Sequence, residues 1–147
     1  MNSPFNLRVY GIYMRKHEIL LTTETSENFS FTKFPGGGIE PGEGITDALK
    51  RELNEELRCE VVNQSLYYFN DFYQPSAFHP QQQILSFYYM VELNEMPLLS
   101  SFNEKRWGKN FEVQLHYQSL HELLDEDLTF PIDKIVLKKL QADYLSK

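Results

Sequence analysis

Three glutamates, Glu52, Glu55 and Glu56, crowd into a segment that carries no glycine or proline from residue 45 to residue 57. Leu49, Leu53 and Leu57 recur there every fourth residue, the spacing of one side of a helix. At about 100° per residue, Glu56 lies about 40° and Glu55 about −60° from Glu52, so the three carboxylates project from one side. Leu49, about 60° from Glu52, puts part of this acidic patch at the border of the apolar stripe. Like charges at such spacing oppose one another by about 0.2–0.5 kcal/mol per pair, and by more where water is excluded. A bound cation reverses that sign, and ligands that are all oxygen favour a hard ion, Mg²⁺ or Mn²⁺. Taken alone, an acidic helix is a solvated face whose acids pair with Lys50, Arg51 and Arg58.

The stretch before the helix is built from residues that bring backbone close to a ligand. Pro41-Gly42 suits the two central positions of a type II turn, where proline fixes one φ and glycine accepts the positive one. Gly36–Gly38 carry no side chains, so a ligand can reach their amides or carbonyls. A glycine-rich loop by itself reads as a plain turn. Joined to the helix it becomes specific: Gly37, Glu43, Arg51, Glu52, Leu53, Glu55, Glu56 and then Leu57, Arg58 and Cys59 resemble the Nudix box. That motif runs Gly, five residues, Glu, seven residues, Arg-Glu-aliphatic-any-Glu-Glu, then any-Gly-aliphatic. The resemblance departs from the family at Arg58, which stands where the family has glycine. A left-handed helix exit costs arginine about 1–2 kcal/mol, so the geometry of that exit is in question while the carboxylates upstream are not.

The resemblance implies a Nudix-like α/β/α sandwich with a mixed central β-sheet, an α/β fold, and hydrolysis of a nucleoside diphosphate linked to another group. It implies that Glu52, Glu55 and Glu56, with the carbonyl of Gly36, hold divalent metal, Mg²⁺ or Mn²⁺, while Arg51 and Glu43 orient the acids. Glu52 or Glu55 would take the proton of the attacking water. In many relatives a late glutamate completes the metal site, and Glu112, at the start of the strand-like "FEVQLHY", is the candidate here. The competing reading of Glu112 is an exposed strand-end acid.

The elements that position these residues follow from pattern. Residues 7–14 and 18–23 read as a hairpin turning at Arg15-Lys16-His17. Residues 26–33 form a polar approach to the glycines that ends in a short strand, and the helix covers residues 45–57. Residues 59–73 and 83–93, rich in aromatic and β-branched types, read as central strands, with Leu85, Phe87, Tyr89 and Val91 alternating on one face of the second. A polar stretch over 94–110, a strand over 111–117 and a short helix over 120–125 precede a last helix that starts at Pro131 and runs to about Leu145. Strands set around two main helices indicate a mixed sheet covered on both faces.

The chain of 147 residues, 41% apolar, has enough material for one core, so residues 1–147 are expected to form a single domain. No stretch is apolar enough to span a membrane and the first residues lack a signal pattern, which points to the cytoplasm. A formal charge of −7 disfavours a nucleic-acid partner; the expected partner is a small nucleoside diphosphate derivative, with a homodimer left open. The single Cys59 forms no internal disulfide. Outside the box the signals weaken. Tyr67, Tyr68, Phe72, Tyr73, Phe87 and Tyr89 read as core before they read as a base-stacking platform. His79 reads as a surface loop histidine, and Trp107 and Lys109 carry no ranking. Two other functions fit the fold: a Nudix-like domain that senses a nucleotide without cleaving it, and an isomerase of the isopentenyl diphosphate type. The retained glutamates argue against the first, and the position of Cys59 at the helix exit argues against the second.

Overall fold

The computed structural model describes residues 4–106 and 108–145. In chain order its elements are β1 (Phe5–Ile12), β2 (Met14–Arg15), β3 (Glu18–Ser26), β4 (Phe29–Lys33), β5 (Gly36–Gly38), α1 (Ile45–Leu57), β6 (Val61–Phe69), β7 (Gln83–Leu93), β8 (Ser101–Arg106), β9 (Lys109–Ser119), a 3₁₀ turn (Asp125–Asp127) and α2 (Pro131–Leu145). They fall into two compact units, the first comprising the chain up to Tyr13 together with Pro35–Pro97, the second Met14–Phe34 together with the chain from Leu98.

The first unit is a four-stranded sheet in the order β5-β1-β7-β6 with α1 packed against it. β1 runs antiparallel to β5 and parallel to β7, and β7 runs antiparallel to β6, so the sheet is mixed as expected. Helix α1 has the bounds that its leucine spacing indicates. Leu49, Leu53 and Leu57 are buried with Ala48, and each leucine taken from water contributes about 1.5–3 kcal/mol before entropy is counted. Gly11 of β1 lets the helix approach, since a methyl group there would meet Leu53 Cδ1 at 2.6 Å. The first turn starts after Gly44, whose N–H donates to Asp47 Oδ2 at 3.0 Å. The last turn ends at Arg58, which takes the left-handed conformation at φ 57° and ψ 32° and donates its N–H to the Asn54 carbonyl. The helix exit thus has the left-handed conformation that a glycine would take without strain, here carried by an arginine with the strain that a side chain brings.

The second unit is antiparallel throughout: β3 pairs with β2, β4 and β9, and β9 pairs with β8. Helix α2 buries Ile132, Val136, Leu137 and Leu140, a stripe at helical spacing. Glu24 on β3 is fully buried between two cations, with Lys33 Nζ at 3.5 Å and Arg106 Nη1 at 2.8 Å.

Several expectations are corrected. The first hairpin is shorter and later than residues 7–23 suggest. β1 stops at Ile12 and pairs within the first sheet, while β2 and β3 make the hairpin through Lys16 and His17, both at positive φ. The polar stretch over 94–110 contains β8, which the sequence hides because Phe102 is its one large apolar residue. Residues 120–125 form turns, and only Asp125–Asp127 is helical, as a single 3₁₀ turn. β6 is an edge strand of its sheet. The aromatics read as core are not buried: Phe72 and Tyr73 are exposed, and Tyr67, Tyr68, Phe87 and Tyr89 are half-buried. Two of them lie beyond the last paired residue of the edge strand, and the fully covered ring of β7 is Tyr88.

Candidate active site

All the residues of the box lie in the first unit, on β5, on the turn that follows it, on α1 and, for Arg58 and Cys59, at the helix exit. The turn is the one proline and glycine indicate: Glu43 N–H donates to the Glu40 carbonyl at 3.0 Å and Gly42 sits at φ 90°. This brings Glu43 back over the first half of α1, where Arg51 meets it.

Arg51 is the hub. Its Nε donates to Glu43 Oε2 at 2.6 Å and its Nη2 to Glu43 Oε1 at 2.9 Å, a two-point pair. Its Nη1 reaches Glu52 Oε2 at 3.0 Å and Glu55 Oε1 at 3.5 Å, and Nη2 also donates to the Gly38 carbonyl at 3.0 Å. One guanidinium therefore binds three carboxylates and the glycine strand together. Its hydrogen bond with Glu43 leads in holding the arginine charged well above its ordinary range. Glu43 is held down in turn, from about 4.5 to about 2, chiefly by that hydrogen bond and then by the N–H of Glu40.

Glu56 is different, being 6% exposed. Its Oε1 accepts the N–H of Gly36 at 2.7 Å, tying the far end of the helix to the start of the glycine strand. Gly36 has to be glycine: its φ is 144°, and a methyl group there would come 2.1 Å from the Val9 carbonyl oxygen. Gly37 meets a steric demand of another kind. A methyl group there would stand 2.6 Å from both the carboxyl carbon and Oε2 of Glu52, so the Glu52 carboxylate rests directly on the bare glycine backbone.

Among the described residues, no group of three or more His, Cys, Asp or Glu converges closely enough to cage a metal ion as it stands. The reason is visible in the contacts: Glu52 and Glu55 lean on Arg51, and Glu56 turns to Gly36. The donor chemistry nevertheless fits a hard divalent ion. Glu52, Glu55 and Glu56 offer only oxygen, and the bare backbone beneath Glu52 leaves room that a Cβ would fill.

Glu112 lies in the second unit, exposed on β9, opposite Thr25 on one side and Asn103 on the other. His79 is an exposed loop residue whose N–H donates to Ser76 Oγ at 3.2 Å. Lys109 is exposed at the start of β9, and Trp107 lies outside the described residues. Cys59 is buried, its thiol donates to the Leu57 carbonyl at 3.3 Å, and burial pushes its pKa up, which makes it a poor nucleophile. A residue the sequence reading passed over stands beside the cluster: Arg8 on β1, opposite Gly38 in the β1–β5 ladder. No motif marks it, and only the register of β1 against β5 reveals it.

A family model for the NUDIX domain matches residues 4–139, a span that runs through both units. An 8-oxo-dGTP diphosphatase of Haemophilus influenzae is 33% identical over 84 residues, 55% of this chain and 57% of that protein. An 8-oxo-dGTP diphosphatase of Buchnera aphidicola is 34% identical over 56 residues, 37% of this chain and 43% of that protein. The matches thus span about half the length of these two curated relatives. A solved NUDIX hydrolase from Nitrosomonas europaea superposes with a TM-score of 0.72 at 19% identity, covering 95% of this chain and 90% of that one. That likeness shows the fold, an α/β sandwich with a mixed sheet and two helices. With the family match spanning most of the chain, this protein belongs to the NUDIX domain family.

Proposed function

We propose that the chain is a hydrolase that splits the diphosphate linkage of a nucleoside diphosphate carrying a further group, with a nucleoside triphosphate as the first substrate to try. The two relatives named as 8-oxo-dGTP diphosphatases support that substrate class. The single observation that carries the reading is the Arg51 hub, which holds Glu43, Glu52, Glu55 and the Gly38 carbonyl in one cluster against bare glycine backbone.

In this reading Glu52, Glu55 and Glu56, with the carbonyl of Gly36, hold Mg²⁺ or Mn²⁺. Such an ion, when bound, supplies the positive charge that offsets the phosphate oxygens and the acidic helix. The rest is done by the chain. Arg51 and Glu43 keep Glu52 in place, and Glu56 fixes Gly36. Glu52 or Glu55 takes the proton of a water whose oxygen attacks phosphorus in line. The new phosphorus–oxygen bond forms as the bridging one breaks, and the released oxygen leaves on the second phosphorylated product. Glu112 is included as a further acid of the site; if Glu112→Gln leaves turnover and its pH dependence at the wild-type level, it is removed from the scheme.

The same proposal treats the two units as one working domain, places the protein in the cytoplasm and gives it neither a nucleic-acid nor a membrane partner. Among the described residues no helix is long and apolar enough to cross a membrane. The test is a panel of nucleoside triphosphates, sugar nucleotides, ADP-ribose and dinucleoside polyphosphates incubated with Mg²⁺, each product read by mass. Two phosphorylated products from at least one compound are expected. Binding of a nucleotide without cleavage across the panel would replace this reading with that of a sensor.

A further inference from the structure

Two arginines flank the glycine strand, and they differ in what their side chains have left to give. Arg51 has its Nε and both terminal nitrogens committed to Glu43, Glu52, Glu55 and the Gly38 carbonyl. Arg8 approaches Gly38 from β1, its Nη1 standing 3.9 Å from where a Cβ on that glycine would be. Only its Nε is engaged, donating to Tyr10 Oη at 2.7 Å. Its guanidinium carbon lies 5.6 Å from the centre of the Tyr10 ring. Among the described residues Nη1 and Nη2 make no hydrogen bond or ion pair, although Arg8 is half-buried and lies within the field of Glu52 and Glu56.

The terminal nitrogens of Arg8 are not among the buried side-chain atoms left without a partner, so they stay within reach of solvent and of an incoming ligand. Tyr10, 7% exposed, holds the Nε side in a fixed pose, with Nη1 turned toward Gly38. The carboxylates of Glu52 and Glu56 are close enough to act on Arg8, yet neither forms an ion pair with it. That arrangement suits an anion that arrives with the ligand and offers two oxygens to one fork, as a phosphate does.

We propose that Arg8 is a substrate-binding residue that receives a phosphate of the diphosphate group through its Nη1 and Nη2, with Tyr10 as the residue that positions it. This rests on the hydrolase reading for the identity of the ligand, but its test is separate from cleavage. It also gives the acidic protein a built-in cation for its anionic ligand, on the side of the glycine strand away from Arg51.

The experiment is calorimetric titration of the full chain with inorganic pyrophosphate in Mg²⁺, using wild type, Arg8→Gln, Arg8→Lys and Tyr10→Phe, with the Tm of each recorded. Arg8→Gln is expected to weaken pyrophosphate binding at least tenfold with Tm changed little. Arg8→Lys should recover part of it, because a point charge returns without the fork. Tyr10→Phe should weaken binding by a smaller factor, through loss of the clamp. Affinity within twofold of wild type in Arg8→Gln, or no pyrophosphate binding by the wild type, would overturn the assignment. So would a drop in Tm in Arg8→Gln large enough to account for the whole loss of binding, with Arg8→Lys recovering none of the affinity. A chain that cleaves nothing in the panel but loses pyrophosphate on Arg8→Gln would keep this assignment while the hydrolase reading fails.

Discussion

Replacing Gly37 by alanine should cost this protein its activity and little of its stability. The new Cβ would lie 2.6 Å from the carboxyl carbon and Oε2 of Glu52 and 2.7 Å from Oε1. Non-bonded atoms settle at about 3.5 Å, so the carboxylate has to retreat by about 1 Å. Gly37 has no positive φ, so the backbone accepts alanine, and what gives way is the flexible end of a glutamate. The retreat stretches the 3.0 Å pair between Glu52 Oε2 and Arg51 Nη1. For a partly exposed ion pair that is a loss of about 0.5 kcal/mol, and an off-rotamer side chain adds about 1 kcal/mol. Against this, alanine restricts the unfolded chain and returns about 0.4–1 kcal/mol, so the net change in stability stays within about 1 kcal/mol. Misplacing a reacting group by about 1 Å costs about 10²-fold in rate. Urea unfolding and steady-state turnover on a substrate from the panel, measured on the same preparation, separate the two quantities. Turnover within twofold of wild type would refute the placement of Glu52 at the chemistry. A stability loss above about 3 kcal/mol, beyond what a shifted side chain explains, would show that the strand itself is displaced. Gly36→Ala is the contrasting control: its φ of 144° and the Val9 oxygen at 2.1 Å oppose any side chain, so it should unfold far more readily.

The remaining predictions concern the clamps around the cluster. Glu56→Gln should keep the hydrogen bond to Gly36 through its amide oxygen, hold or raise Tm without metal, and lose most turnover; an unchanged Mg²⁺ dependence of the rate would contradict it. Glu43 has its pKa lowered from about 4.5 to about 2, so its contribution to stability is present above about 4.5 and is lost as pH falls toward 2. Unfolding followed across that window should therefore show a steeper acid loss in wild type than in Glu43→Gln, and equal slopes would count against the Arg51–Glu43 pair. Arg58→Gly should stabilise by about 1 kcal/mol, because the left-handed position is already in place and glycine holds it without strain; a loss in denaturant unfolding would mean that the arginine side chain has contacts of its own.

How far the sequence could be read depends on whether a residue's role is local. Helix α1 has the bounds its leucines indicate because spacing, a glycine entry and the absence of breakers act within one turn of each other. The turn at Pro41-Gly42 was legible for the same reason. β7 was legible as a strand, but which of its rings is covered was not: Tyr88 is 1% exposed while its neighbours Phe87 and Tyr89 are half-buried. Periodicity marks faces without saying how fully each is covered. β8 escaped notice because its residues are polar and its order comes from pairing with β9. The hairpin turn at Lys16 and His17 was legible as a polar break between two strand-like runs, but not its positive φ, on residues that seldom supply it. At the candidate site, motif spacing located the acids and the resemblance put Arg51 and Glu43 beside them, but neither told which atoms each of the two would join. The Arg51 hub needed the turn to bring Glu43 back, and Arg8 needed the β1–β5 register.

The central claim is that the acids of α1 and the glycine strand form a centre for splitting a phosphoanhydride with water. The most direct measurement is the reaction of a nucleoside triphosphate with the purified full chain and Mg²⁺ in oxygen-18 water, each product weighed. The account predicts two phosphorylated products, one atom of label on a phosphate of one of them, and loss of that labelled product in Glu56→Gln. Unlabelled products, or label incorporated at the wild-type rate by Glu56→Gln, would contradict it.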